Sequence, residues 1–140
     1  MPNRTKSIVL DAWAVLAFLQ DEPAGKLVAD IIADTHEAGG SVLMTVANAG
    51  EVWYIVSREA SESDADASIA DLLNIGVQLT DINWELTRIA ARFKARGRLS
   101  YADAYAAALA KQSKCELVTG DPEFKALDGE IKLRWLINSN

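Results

Sequence analysis

Short apolar runs rich in β-forming residues alternate with segments of helical periodicity along most of the chain. The predicted strands cover residues 7–10, 41–44, 77–79, 116–119 and 131–135. Strands separated by helices pair in parallel, because each connection crosses back over the sheet. The pattern therefore predicts an α/β protein, with a three-layer α/β/α fold around a central, mainly parallel sheet of four to five short strands. Residues 8–10 and 116–119 are the expected central strands, and 131–135 the expected edge strand.

Length and composition narrow the class of protein. A chain of 140 residues that is 50% hydrophobic fits one domain, residues 1–140, with one core. Its longest apolar run near the start is too short to cross a bilayer, and no signal-peptide pattern surrounds it, so we expect a cytoplasmic protein without a membrane partner. The lone Cys115 excludes a disulfide framework. A net charge of −6 argues against non-specific coating of nucleic acid.

Four acidic residues stand where predicted strands end or helices begin. Asp11 and Asp121 directly follow strands, whereas Glu51 and Asp103 lie in the early turns of helices. Ligands of open α/β sheets bind outside the carboxyl ends of the strands, so we expect these carboxylates at one edge. Each also has a simpler interpretation. The aspartates are ordinary helix caps or first-turn acids, and the glutamate is a surface acid with a packed aliphatic stem.

Oxygen ligands without histidine or cysteine suit Mg²⁺ or Mn²⁺ and disfavour zinc. His36 lies late in a predicted helix and is expected at the surface. Ions held by carboxylates activate water and bind phosphate oxygens. Other acid-using α/β sites fit less well. A haloacid-dehalogenase-type phosphatase requires Asp where this chain has Trp13, and no GxGxxG follows the first strand.

Four ordered segments resemble the PIN domain, and more narrowly the VapC-type toxins of bacterial toxin–antitoxin pairs: IVLDAW (8–13), VANAGEV (46–52), LSYADA (99–104) and LVTGDPEF (117–124). The resemblance runs from about residue 7 to residue 135. It implies a Mg²⁺-dependent endoribonuclease, with Mn²⁺ as a substitute, that leaves a 5′-phosphate and a 3′-hydroxyl. Its catalytic residues would be Asp11, Glu51, Asp103 and Asp121. The three aspartates would hold the metal, and the glutamate would bind it through water or orient the attacking water.

The resemblance also implies supporting residues around the acids. Thr119 matches a hydroxyl position that supports the site, and Asn48 matches a polar position one turn before the glutamate. Arg88, Arg92 and Arg96 recur every four residues and so share one helix face. Taken singly they are typical of a solvated face; as a set near the site they are candidates for contacts with RNA phosphates.

The expected partners are the RNA substrate, a small cognate antitoxin whose tail blocks the acidic groove, and a second copy in a homodimer. The helices between residues 45 and 74 would form the arm that grips the antitoxin. Trp53 and Tyr54 fit either that groove or ordinary core packing. Two alternatives stay open: a non-catalytic PIN-fold module that acts through a protein partner, and a structure-specific DNA nuclease. Nucleases of the second kind typically carry additional acids and insertions.

Overall fold

A computed structural model describes residues 6–136 of the chain. Five strands form one sheet, in the order β3-β2-β1-β4-β5, and every pairing is parallel. The strands are β1 (Ile8–Leu10), β2 (Val42–Thr45), β3 (Val77–Thr80), β4 (Glu116–Thr119) and β5 (Leu133–Trp135). The predicted fold class is confirmed. Strands β1 and β4 are interior and β5 lies at an edge, as expected.

Two helices fill each of the first three connections. They are α1 (Ala12–Leu19), α2 (Pro23–Glu37), α3 (Val46–Glu59), α4 (Glu62–Asn74), α5 (Trp84–Arg96) and α6 (Tyr101–Ser113). Short polar side chains begin most of them, because each accepts a hydrogen bond from the otherwise unpaired amide three residues on. Those caps are Asp11, Thr45, Ser61, Asn83 and Ser100. Helix α2 instead begins at Pro23, whose missing N–H costs nothing at that position.

Alternation along the strands divides the core between the two faces of the sheet. On β1, Ile8 and Leu10 belong to the apolar cluster that includes residues of α1 to α4, whereas Val9 belongs to the cluster with α5 and α6. The buried alanines of α6 allow that helix to approach the sheet closely; they are Ala104, Ala106, Ala107, Ala108 and Ala110. The result is the predicted three layers.

The carboxyl-terminal part differs in detail from the sequence prediction. The single helical turn expected after β4 is a 3₁₀ helix of six residues, Pro122–Leu127. The last strand starts at Leu133, because the chain turns through Gly129 at φ +93° and Ile131 makes only an isolated bridge to Asp128. Between residues 6 and 136, no helix is both long and apolar enough to span a bilayer.

Candidate metal centre

Asp11 lies at the carboxyl end of β1 and is completely buried. Its Oδ1 accepts a hydrogen bond from the Ala14 amide at 2.8 Å, which caps α1. Its Oδ2 accepts a hydrogen bond from the Thr119 hydroxyl at the end of β4. The simple capping interpretation of Asp11 is therefore correct but incomplete, because the second oxygen connects this residue to the neighbouring strand.

Thr119 links two of the predicted site acids. Its buried hydroxyl donates to Asp11 and accepts from the Asp121 amide at 3.0 Å. Asp121 then begins the 3₁₀ helix, with its Oδ1 accepting from the Glu123 amide at 3.0 Å. One hydroxyl thus fixes the buried carboxylate and the backbone that carries the next one, which is consistent with the supporting position predicted for Thr119.

Asn48 connects the helices that carry Glu51 and Asp103. Its Nδ2 donates to the Ala102 carbonyl at 3.0 Å, and its Oδ1 accepts from the Thr45 hydroxyl. All of Asn48 is buried, so the amide bridge is shielded from competing water. The contact spans 54 residues of sequence and holds the first turn of α6 against α3. Asn48 therefore sets the relative position of two site acids that belong to different connections.

Asp103, Asp121 and Glu123 form a second group of carboxylates, which runs from buried to exposed. One carboxylate oxygen of each lies within 4.8 Å of the others. Asp103 is buried in the first turn of α6, which Ser100 caps through the Asp103 amide at 3.1 Å. Glu123 is exposed, and the sequence pattern placed it only in a helical turn, not among the site acids. The signal available was its position two residues after Asp121, in the same Asp-Pro-Glu segment.

Glu51 lies on α3, one turn after Asn48. Within residues 6–136, its Oε1 is a buried side-chain oxygen without a hydrogen-bond partner. A buried acceptor left unpaired by protein is costly and calls for a ligand or an ordered water. The surface interpretation of Glu51 is thus wrong for this oxygen, which the fold holds out of solvent without a donor from the described residues.

The charges of these residues act on one another. Burial raises the pKa of Asp11 to about 7; hydrogen bonding partly opposes this rise, and the charges of Asp103 and Asp121 add to it. Burial also raises the pKa of Asp103 to about 6, with contributions from the charges of Asp121, Glu51 and Glu123. The pKa of Glu51 is raised by burial and by the charge of Asp121. The predicted four acids therefore form one electrostatic group, to which Glu123 belongs as a fifth.

The donor set fits a hard divalent cation. Three carboxylate oxygens lie within 4.8 Å of one another, and the unpaired Glu51 oxygen belongs to the same electrostatic group. A cation would favour the ionised form of the buried carboxylates and offset the repulsion among the charges of this group. The nitrogen and sulfur ligands that zinc prefers lie elsewhere in the fold. His36 is exposed near the end of α2, as predicted, and Cys115 precedes β4 at the amino end of the sheet. Oxygen ligands of this kind suit Mg²⁺ and Mn²⁺.

The three arginines that are candidates for RNA contact lie on α5. Arg88, Arg92 and Arg96 are all exposed on α5. Arg96 makes an ion pair at 3.0 Å with Glu130, which lies between the 3₁₀ helix and β5. In the part of the chain that the structure describes, no ion pair joins any of the three to the site acids. Contact with RNA phosphates therefore stays a prediction for this face.

The two aromatic residues of α3 differ from each other. Trp53 donates from Nε1 to Asp66 Oδ1 at 2.9 Å, which ties α3 to α4. Tyr54 is about half exposed, with the Arg58 guanidinium 5.9 Å from its ring centre. Trp53 thus stabilises the helical arm, while Tyr54 presents an aromatic surface to solvent.

A family model described as the PIN domain matches residues 8–130, which is most of the chain. The chain belongs to the PIN-domain family. That match includes every acid of the candidate site, from Asp11 to Glu123. Comparison with curated proteins gives no match.

Solved structures share this PIN-domain fold at low sequence identity. VapBC of Salmonella typhimurium, solved bound to DNA, superimposes with a TM-score of 0.72 at 12% identity, over 94% of this chain and 99% of that one. VapBC2 of Rickettsia felis, bound to a DNA fragment from its promoter, gives 0.71 at 15%, over 91% and 97%. VapC20 of Mycobacterium tuberculosis, a Sarcin-Ricin loop cleaving toxin, gives 0.67 at 21%, over 85% and 93%. These similarities establish the fold.

Proposed function

We propose that this PIN domain, residues 1–140, is a Mg²⁺-dependent endoribonuclease and the toxin of a toxin–antitoxin pair. The observation that carries the proposal is the meeting of carboxylates from four separate connections at one sheet edge, with one buried oxygen lacking a partner among the described residues. Family membership supports nuclease chemistry. VapC20 shares this fold and is a Sarcin-Ricin loop cleaving toxin, which supports RNA as the substrate class.

Asp11, Asp103 and Asp121 would hold Mg²⁺, and Glu123 is the added candidate at the open side. Mn²⁺ would substitute, because its preference for oxygen ligands is similar. Such an ion, when bound, activates water and offsets the charge that develops on a phosphate during hydrolysis. The fold supports this assignment with a deeply buried aspartate on one side and an accessible glutamate on the other.

The remaining residues position the reacting groups. Thr119 and the Ala14 amide orient the Asp11 carboxylate, and the same Thr119 hydroxyl fixes the backbone at Asp121. Asn48 holds the α6 first turn against α3. Glu51, whose Oε1 has no donor from the described residues, would orient the attacking water through its carboxylate. Cleavage then needs no side-chain nucleophile.

A toxin of this kind also has protein partners. Neighbours of the same fold were solved as VapBC complexes, which supports a small antitoxin as the partner of this chain. We place its contact on the α3–α4 arm, where Tyr54 is exposed beside Arg58 and Trp53 braces the two helices. We also propose a homodimer that acts in the cytoplasm.

RNA cleavage by purified protein tests the catalytic proposal. The wild-type protein should cut a structured RNA in Mg²⁺ or Mn²⁺ and not in EDTA. Asp103→Asn should reduce the rate by about 100-fold, because replacing even the outer-shell partners of metal ligands costs about 10–100-fold. The matched control is Asp30→Asn, which makes the same change at an exposed acid on α2 and should leave the rate unchanged.

The controls also separate the alternatives. Parallel purification of Asp103→Asn reports any contaminating ribonuclease. A wild-type protein that leaves RNA intact in both metals, or an Asp103→Asn protein that cuts at the wild-type rate, would contradict the proposal. The first result would favour a binding module that acts only through its partner.

A further inference from the structure

Trp13 lies directly beside the candidate metal centre. It belongs to the first turn of α1, two residues after Asp11. The six-membered part of its indole lies against Gly120, the residue that precedes Asp121. A Cβ built on Gly120 would overlap ring carbons Cη2, Cζ3 and Cζ2 of Trp13. The ring is therefore seated between two connections that each carry a site acid.

Gly120 is required here for space. Its φ is not in the left-handed region, so its backbone conformation is open to other residues. The three atoms nearest to an added Cβ all belong to the Trp13 ring. The missing side chain at position 120 thus lets the indole lie on the backbone of the strand-to-helix turn. This close packing fixes the orientation of an aromatic residue in the first turn of α1.

Trp13 is not fully buried in the core. Trp13 keeps 36% of its surface exposed, although its neighbours Ala12 and Ala14 are buried. Gly120 also lines a surface hollow of about 420 Å³, together with Pro122, Lys125, Trp135 and Leu136. A hollow of that size accommodates a nucleotide base. The partly exposed Trp13 and the hollow therefore share Gly120, which directly precedes the site acid Asp121.

We infer that Trp13 is the platform on which one RNA base stacks beside the scissile phosphate. The inference rests on the proposed function and names the contact that holds its substrate. Single-stranded or splayed RNA bases are commonly held by stacking on aromatic side chains, largely independently of sequence. A protein with a net charge of −6 gains little from general attraction to phosphates. Stacking on a fixed indole supplies affinity that its overall charge does not.

Binding, rather than cleavage, is the direct test. All variants are made in the Asp103→Asn protein, so that a short single-stranded RNA stays intact during titration. Trp13→Ala should weaken RNA binding about tenfold, the size expected for loss of one base–aromatic stack. Trp13→Phe should retain most of the affinity, because it keeps an aromatic face. Leu73→Ala removes a half-exposed apolar side chain on α4, away from the arginine face of α5, and is the control, with no expected change.

A second variant separates stacking from stability. Gly120→Ala keeps the indole but displaces it with an added methyl group, and it should also weaken binding about tenfold. Combined with Trp13→Ala, it should cause little further loss, because both changes remove the same contact. RNA should quench tryptophan emission of the parent protein. The quench should be reduced in Trp13→Phe, although binding persists. It should largely disappear when Trp135→Phe is added, because Trp135 lines the adjoining hollow.

Unchanged affinity in a folded Trp13→Ala protein, or a full quench in Trp13→Phe, would overturn the inference. Either result leaves the proposed function intact if the wild-type protein still cuts RNA. Conversely, absence of wild-type cleavage with Trp13-dependent binding would reject the nuclease proposal and retain the stacking platform. The two failures are therefore distinguishable.

Discussion

The candidate metal centre has an inner half and an outer half, and the protein holds their carboxylates in different ways. The inner half is Asp11 with Thr119, both fully buried, and both oxygens of the carboxylate accept hydrogen bonds from the protein. The outer half is Asp103, Asp121 and Glu123, and one carboxylate oxygen of each lies within 4.8 Å of the others. The fold itself positions the inner carboxylate. The outer carboxylates repel one another, and a cation is the natural means of holding them together.

Because of this difference, the inner half also contributes to the stability of the fold. Asp11 ends a central strand and starts a helix, so its hydrogen bonds contribute to folding whether or not an ion is bound. Asp121 and Glu123 belong to the 3₁₀ helix, where their capping hydrogen bond is exposed and water replaces it easily, whereas Asp103 is buried in the first turn of α6. The inner half should therefore respond to mutation through stability, and the outer half through cation binding.

The largest expected effect on stability is its dependence on pH without metal. The pKa of Asp11 is raised to about 7 and that of Asp103 to about 6, from 3.8. The folded protein therefore holds protons that the unfolded chain releases above about pH 4. This contribution to stability is fully present below that pH and is lost as pH rises through 6 to 7. A pKa that differs by one between the folded and unfolded states corresponds to about 1.4 kcal/mol of stability.

Denaturant unfolding in EDTA between pH 5 and pH 8 measures this effect. Asp11→Asn cannot ionise, so the free energy of unfolding of the wild type should fall relative to that of Asp11→Asn by about 2 to 3 kcal/mol between pH 5 and pH 8. Excess Mn²⁺ should reduce this difference between the two proteins, because a cation favours the ionised carboxylates. If the free energies of unfolding of the two proteins changed with pH in parallel, Asp11 would ionise in its buried site without loss of stability. That result would contradict this expectation.

A smaller effect compares two substitutions at Asp11. Asparagine retains the Oδ1 that accepts from the Ala14 amide, whereas alanine removes it. In EDTA at pH 5, Asp11→Ala should be less stable than Asp11→Asn by about 1 kcal/mol, the usual cost of losing a helix cap. The same pair at Asp121, whose capping bond to Glu123 is exposed, should differ by less. A larger difference at Asp121 would reverse the assignment of the two halves.

Sequence patterns predicted the elements of the site better than its contacts. Asp11, Asp103 and Asp121 were predictable because strand ends and first helical turns are local signals, and parallel pairing brings them to one edge. Glu123 was missed because its contribution depends on how the 3₁₀ helix turns after Pro122, which periodicity does not encode. Tertiary geometry, rather than residue type, places it against Asp103.

Long-range contacts also lay beyond the sequence pattern. The amide of Asn48 reaches Ala102 across 54 residues, and the Thr119 hydroxyl reaches Asp11 across 108. Family resemblance indicated that both positions support the site, without saying how. The regular spacing of arginines on α5 was informative about a helix face but not about its neighbours; Arg96 pairs with Glu130 instead. Such pairings are decided by packing and must be read from the structure.

Thermal unfolding with Mn²⁺ tests the central claim most directly, because it asks whether the carboxylates form a cation site without assuming an RNA substrate. A ligand that binds only the folded state raises its stability with concentration. The wild type and the exposed-acid control Asp30→Asn should melt several degrees higher in millimolar Mn²⁺ than in EDTA, whereas Asp103→Asn should gain far less. Equal gains for all three proteins, or none, would contradict a divalent-cation site at this sheet edge.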